Sequence, residues 1–136
     1  MEYHVPTVVR IKMKGGTVVQ GCDVYIGRKV TQGGWNLAAS VWENPYTANK
    51  NFPVEHVVAK YDIYIRELIK KNPEQMMYYL KNLVSQGHSL TLGCWCKSDK
   101  AGNYKDLPCH GDVIVQLCKE MIIILKQNAS NFKSIV

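Results

Sequence analysis

The sequence predicts one small α/β domain: a short sheet with three main helices, in a Rossmann-like two-layer or three-layer arrangement. Three observations carry that expectation. Apolar residues near the N-terminus alternate with the period of strands. Two long segments further on carry apolar residues at helical spacing. A strand-like run at 89–94 passes through a polar loop into the last helical segment, as in half of a βαβ unit. The chain has 136 residues, 46% of them hydrophobic, which suits a single domain over 1–136 with one buried core.

Each element follows from its pattern. In the run from Val8 to Met13, Val9, Ile11 and Met13 alternate with Arg10 and Lys12, as on a half-buried strand. Gly15-Gly16 is a hairpin signal, and Thr17 to Gln20 is the returning strand. Asp23 to Gly27 reads as a core strand that stops at a glycine. From Arg28 to Phe52 the pattern is irregular, with a short helical turn expected at Leu37 to Val41; loops of this length inside a compact domain usually carry function. Pro53 opens a helix whose inner face is Val54, Val57, Val58, Tyr61, Ile65, Leu68 and Ile69. Asn72 and Pro73 read as the cap and first position of a second helix, with Met76, Met77, Leu80, Leu83 and Val84 inward and Gly87 as its stop. Ser89 to Cys94 is a core strand and Lys97 to Pro108 a polar loop. The last helix starts near Cys109 and carries Val113, Ile114, Leu117, Cys118, Met121 and Leu125; residues 127–136 read as a frayed tail.

Composition narrows the setting. No run of eighteen apolar residues occurs, so no membrane-spanning helix is expected. Met1 to Pro6 lacks a basic stretch followed by an apolar core, so the chain is expected to stay in the cytoplasm. The formal charge of +6 favours an anionic partner, a small nucleotide-like ligand or nucleic acid, although a merely solvated basic surface reads equally well. The five cysteines (Cys22, Cys94, Cys96, Cys109 and Cys118) are an odd number in a chain without an export signal, which argues against a disulfide framework. Cys22 and Cys118 read as packing residues.

The chemistry gathers in Gly93-Cys94-Trp95-Cys96 and Cys109-His110-Gly111-Asp112. Cys94, Cys96, Cys109 and His110 form the ligand set of a zinc site, although one residue between the first two cysteines is a tight spacing, and the adjacent Cys109 and His110 converge only where the backbone turns. The alternative is a reactive thiol. A cysteine at a helix N-terminus feels the positive end of the dipole, so Cys109, or else Cys94, is the candidate nucleophile. His110 would assist it, and Asp112 would orient His110 or simply cap the helix. Plain burial is the third reading. Around these residues, Gly27 and Arg28 end a strand where a guanidinium can fork onto phosphate. Trp35 and Trp42 can pack a ring, or anchor the loop, with Ser40 and Asn44 as polar neighbours. Gly111 would let an anion approach the helix N-terminus.

Val24-Tyr25-Ile26-Gly27-Arg28, Gly34-Trp35, Ser40, Trp42, Asn44-Pro45-Tyr46, Leu92-Gly93-Cys94-Trp95-Cys96 and Cys109-His110-Gly111-Asp112-Val113-Ile114 together resemble the domain of unknown function 4326 family, from about Cys22 to Met121. That family occurs in bacteria, phages and large DNA viruses. The resemblance implies that these blocks share one site, in a host cytoplasm where the source is viral, and it brings no activity. The family's connection between the Cys-Trp-Cys and Cys-His-Gly-Asp blocks is shorter than Lys97 to Pro108, so a fixed metal spacing does not carry over. Two functions are therefore expected: binding or processing of a nucleotide-like or other phosphorylated ligand, or a zinc-stabilised module that binds nucleic acid. A partner-binding adaptor without chemistry is a third.

Overall fold

A computed structural model describes residues 2–31, 33–46, 54–94 and 109–135, with the side chains of 14, 19, 54, 55 and 129–135 left aside. Among the described residues, five short strands and three helices follow in the order β1 (Thr7–Arg10), β2 (Lys12–Lys14), β3 (Thr17–Gln20), β4 (Val24–Tyr25), α1 (Val54–Lys71), α2 (Pro73–Val84), β5 (Thr91–Cys94) and α3 (His110–Ile135). β5 lies between β1 and β4 and runs parallel to both. β2 and β3 form a separate antiparallel hairpin. The chain is thus a small α/β domain with three helices, as its periodicities predict.

The parallel register is fixed at both ends of the strands. Val8 and Val24 both lie opposite Leu92, and Arg10 lies opposite Cys94. Asp23 holds the start of β4: its carboxylate accepts the Thr91 N–H at 2.8 Å and the Thr91 hydroxyl at 3.1 Å. The Ile11 and Ile26 N–H groups extend the two ladders to the Cys94 and Gly93 carbonyls. Side chains alternate across a strand. Leu92 and Cys94 accordingly face one way, into a single core shared with Tyr61 and Ile65 of α1, Leu80 and Val84 of α2, and Ile114 and Cys118 of α3. All three helices belong to that core, which makes the arrangement two-layered. Gly93 faces the other way, against Cys22 and Ile11.

Several boundaries differ from the sequence reading, each for a local reason. The alternating run Val8 to Met13 is two strands. β1 pairs with β5, the chain turns at the buried Ile11, and β2 then pairs with β3. Alternation runs unbroken through the change of partner, so periodicity cannot mark it. Gly15 and Gly16 take positive φ (57° and 82°) and close the hairpin as expected. The segment 37–41 is not helical: Leu37 exchanges two backbone hydrogen bonds with Val30 across a turn built on Gly33 and Gly34. Asn72 precedes α2 without a side-chain cap, its carbonyl accepting the Met76 N–H instead. α2 ends at Val84, before Gly87. α3 runs on to Ile135 rather than fraying after Gln127; no Gly or Pro between 128 and 135 interrupts it.

The fit at Gly93 yields a test. A Cβ there would stand 2.3 Å from the Cys22 sulfur and 2.7 Å from Ile11 Cγ2, whereas one on Gly21 would meet only Val18 at 3.6 Å. Gly93→Ala is expected to cost about 1–3 kcal/mol in urea unfolding and Gly21→Ala about 0.5 kcal/mol or less.

Candidate functional site

Because β1, β5 and β4 are parallel, their carboxyl ends lie on one edge of the sheet, the edge at which open α/β folds bind ligands. Cys94 ends the central strand and Gly27-Arg28 follow the end of β4. The first turn of α3 is seated on the same structure. A Cβ on Gly111 would come within 3.0 Å of side-chain atoms of Val8 and Ile26, so only glycine lets the helix rest this closely on the strands.

Cys109 occupies the cap position of α3. Its sulfur accepts the Gly111 N–H at 3.4 Å, and the Asp112 carboxylate reaches back to accept the Cys109 N–H at 2.9 Å. This is a capping box with a thiol in place of the usual hydroxyl. It gives the Asp112 carboxylate the capping role. It also answers the expectation that Gly111 opens the helix N-terminus to an anion. The amides of residues 109 and 111 already have acceptors, and the space beside Gly111 is filled by Val8 and Ile26.

His110 is 3% exposed, and its Nε2 lies 2.8 Å from the Ile26 carbonyl oxygen. A carbonyl only accepts, so Nε2 carries the proton and the neutral ring keeps its lone pair on Nδ1. That nitrogen stands 3.9 Å from the Cys109 sulfur. The Tyr61 ring packs edge-on against the imidazole at 5.1 Å, and its hydroxyl donates to the Trp42 carbonyl at 2.7 Å. Burial pushes the His110 pKa below the ordinary 6.5; the Ile26 carbonyl and Cys94 work against that lowering, and the Arg28 charge adds to it. The Cys94 and Cys109 sulfurs are in contact at 3.0 Å, and neither residue is exposed. Folding has therefore brought three of the expected residues together, in a sealed centre rather than an open pocket. Neither sulfur is exposed to solvent in this conformation.

The other candidates are distributed around this centre. Arg28 is exposed, but its Nε donates to the Asn44 carbonyl at 2.9 Å and its Nη2 to the Tyr46 carbonyl at 2.7 Å. It staples the loop as well as facing solvent. A Cβ on Gly27 would displace the tip of the Tyr25 side chain, whose hydroxyl is bound to the Arg28 carbonyl. Ser40 and Asn44 are turn builders: the Ser40 hydroxyl accepts the Trp42 N–H, and the Asn44 side-chain oxygen accepts the Tyr46 N–H. Trp42 is 3% exposed and edge-on to Tyr79, which makes it an anchor and takes it out of the ring-stacking role; Trp35 is half-buried. Burial drives the Cys118 thiol up to about 12, as suits a packing residue. Sequence reasoning missed Tyr61 and the Ile26 carbonyl. Tyr61 gave a faint signal, a polar-tipped ring inside an otherwise aliphatic helix face; a backbone acceptor gives none.

Trp95 and Cys96 lie outside the described residues. Among those described, no three His, Cys, Asp or Glu side chains are grouped to hold a metal ion. Two thiolates on one tetrahedral zinc would sit roughly 3.7 Å apart, wider than the contact between Cys94 and Cys109. The helix start does turn Cys109 and His110 toward each other, but the zinc set needs Cys96. Among the described residues no helix is long and apolar enough to cross a membrane.

A family model matches residues 9–120, a stretch containing Arg28, Cys94 and the whole first turn of α3. The chain belongs to the family described as domain of unknown function (DUF4326). This DUF4326 domain is also similar to an uncharacterized protein, R718, of Acanthamoeba polyphaga mimivirus, with 41% identity over 116 residues, 84% of this chain and 80% of that one. No solved structure matches it.

The buried imidazole sets a pH dependence. With its folded pKa below the unfolded one, His110 binds fewer protons folded than unfolded, so its contribution is complete above about pH 6.5 and is lost as pH falls toward the lowered value. Urea unfolding of the DUF4326 domain should show stability declining from pH 7 to pH 5, and His110→Gln should flatten that decline. An equal decline in the variant would show that His110 is not its source.

Proposed function

We propose that the domain binds a small anionic ligand of the phosphorylated, nucleotide-like class on the carboxyl edge of its parallel sheet, with Arg28 as the anchoring cation. One observation carries this reading: the Arg28 guanidinium sits at the end of β4 with two donors fixed by loop carbonyls, while its other N–H groups have no partner among the described residues. A fork already held in place loses little further freedom on binding, and its planar donors match phosphate or carboxylate oxygens. The net charge of +6 supports the attraction of anions from a distance. Among the described residues, the half-buried Trp35 is the tryptophan that can pack a ring. We read the setting as cytoplasmic, where thiols such as Cys94 and Cys109 stay reduced.

A second reading, in which the ligand is also processed, is favoured by the Nδ1 lone pair of His110 facing the Cys109 sulfur. His110 can take the thiol proton and Cys109 then acts as nucleophile. With both sulfurs buried, this requires the ligand to open the centre.

Thermal unfolding at low salt, with inorganic phosphate, sugar phosphates and nucleoside mono-, di- and triphosphates, tests the binding. A ligand at a hundred times its Kd adds about 2.7 kcal/mol, several degrees in Tm. At least one phosphorylated compound should give such a shift, weakened by salt and absent in Arg28→Met, each protein being read against its own unliganded Tm. If no compound shifts the protein, or Arg28→Met shifts as far as wild type, Arg28 does not anchor a ligand of this class.

A further inference from the structure

We propose that Cys94 and Cys109 are an oxidation site: the two thiols convert reversibly to a disulfide that ties the end of β5 to the first residue of α3. This goes beyond the ligand reading and does not depend on it. The sulfurs are already 3.0 Å apart although their residues are fifteen positions apart in sequence. A disulfide bond is about 2.05 Å long, so pairing needs roughly 1 Å of approach. The positions are held by backbone on both sides: Cys94 by its register opposite Arg10, Cys109 by the capping box. The pair is therefore a consequence of the fold, and no partner molecule is needed to assemble it.

The surroundings assign the roles. The Cys109 sulfur receives the Gly111 N–H, lies at the positive end of α3, and faces the Nδ1 lone pair of His110, while the Asp112 carboxylate is directed at the Cys109 N–H. Cys109 is the attacking thiol and Cys94 the resolving one. Both residues are buried, so a small oxidant such as hydrogen peroxide reaches the sulfurs only as the centre opens, and bulky disulfides are disfavoured. With hydrogen peroxide, His110 takes the Cys109 proton and the thiolate attacks one oxygen. The O–O bond breaks, Cys109 becomes a sulfenic acid, and the departing hydroxide recovers the proton as water. The Cys94 sulfur then attacks the Cys109 sulfur. The S–S bond forms, the S–O bond breaks, and the Cys94 proton leaves with the hydroxide as a second water. In balance, two thiols and one peroxide give one disulfide and two waters. Oxidation takes the Cys109 thiol out of use and pins the first turn of α3; a dithiol reductant restores it.

The experiment treats reduced, full-length protein with stoichiometric hydrogen peroxide. The expected result is loss of two of the five thiols, measured after denaturation, with an intact mass lower by two hydrogens and full reversal by dithiothreitol. Fragmentation of the cross-linked peptide in the wild-type digest should join Cys94 to Cys109. Cys94→Ser and Cys109→Ser should each abolish the two-thiol loss, and Cys96→Ser and Cys22→Ser should leave it intact. Wild-type mapping stands even where a serine variant folds poorly. A bridge between any other pair, oxygen addition without a bridge, or no reaction would overturn the proposal.

Discussion

The arrangement rests on the seating of one helical turn. α3 begins where the parallel strands end, and three constraints hold it there. Gly111 permits the close approach to Val8 and Ile26, the His110 Nε2–H reaches the Ile26 carbonyl, and Cys109 and Asp112 cap the helix reciprocally. A buried imidazole needs a hydrogen-bond partner, since leaving one unsatisfied costs about 1–3 kcal/mol. The Ile26 carbonyl, at the end of the ladder to Gly93, is that partner. The same bond fixes the tautomer and so decides which nitrogen faces the Cys109 sulfur. Helix docking, histidine chemistry and thiol placement are consequences of one contact.

Around that contact the molecule separates two kinds of polar group. Inside, Cys94, Cys109 and His110 share a nearly water-free space with Tyr61. On the edge, the exposed Arg28 is tied to the loop carbonyls of 44 and 46. The loop is tied in turn to α1 through the Tyr61 hydroxyl and the edge-on pairing of Tyr46 with Tyr64. Tyr61 therefore touches both halves, with its ring on His110 and its hydroxyl on the loop. The cation of the edge also reaches the interior electrostatically, since Arg28 is one of the charges lowering the His110 pKa.

Much of the fold was legible in the sequence because its signals are local. The inward residues of α1, α2 and α3 fall at helical spacing, Gly15-Gly16 marks its hairpin, and the same patterns put Cys94 at a strand end and Cys109 at a helix start. Partner changes were not legible. Val8 to Met13 alternates smoothly although its halves join different sheets, and nothing in that pattern encodes the turn at Ile11. For the candidate site, sequence located the residues and left several of their roles open. Ser40, Trp42, Asn44, Gly111 and Asp112 have the chemistry of binding groups, but their donors, acceptors and bulk are engaged within the protein. A side chain's chemistry is written in the sequence; the backbone groups that compete for it are not.

Nitrogen-15 NMR of the imidazole side chains, recorded across pH 4 to 8 and assigned with His110→Gln, tests the seating of α3 most directly. His110 should be neutral at pH 7, protonated on Nε2, and should titrate below the ordinary histidine value. A proton on Nδ1, or titration at the ordinary 6.5 like a solvated histidine, would contradict the contact on which the centre is built.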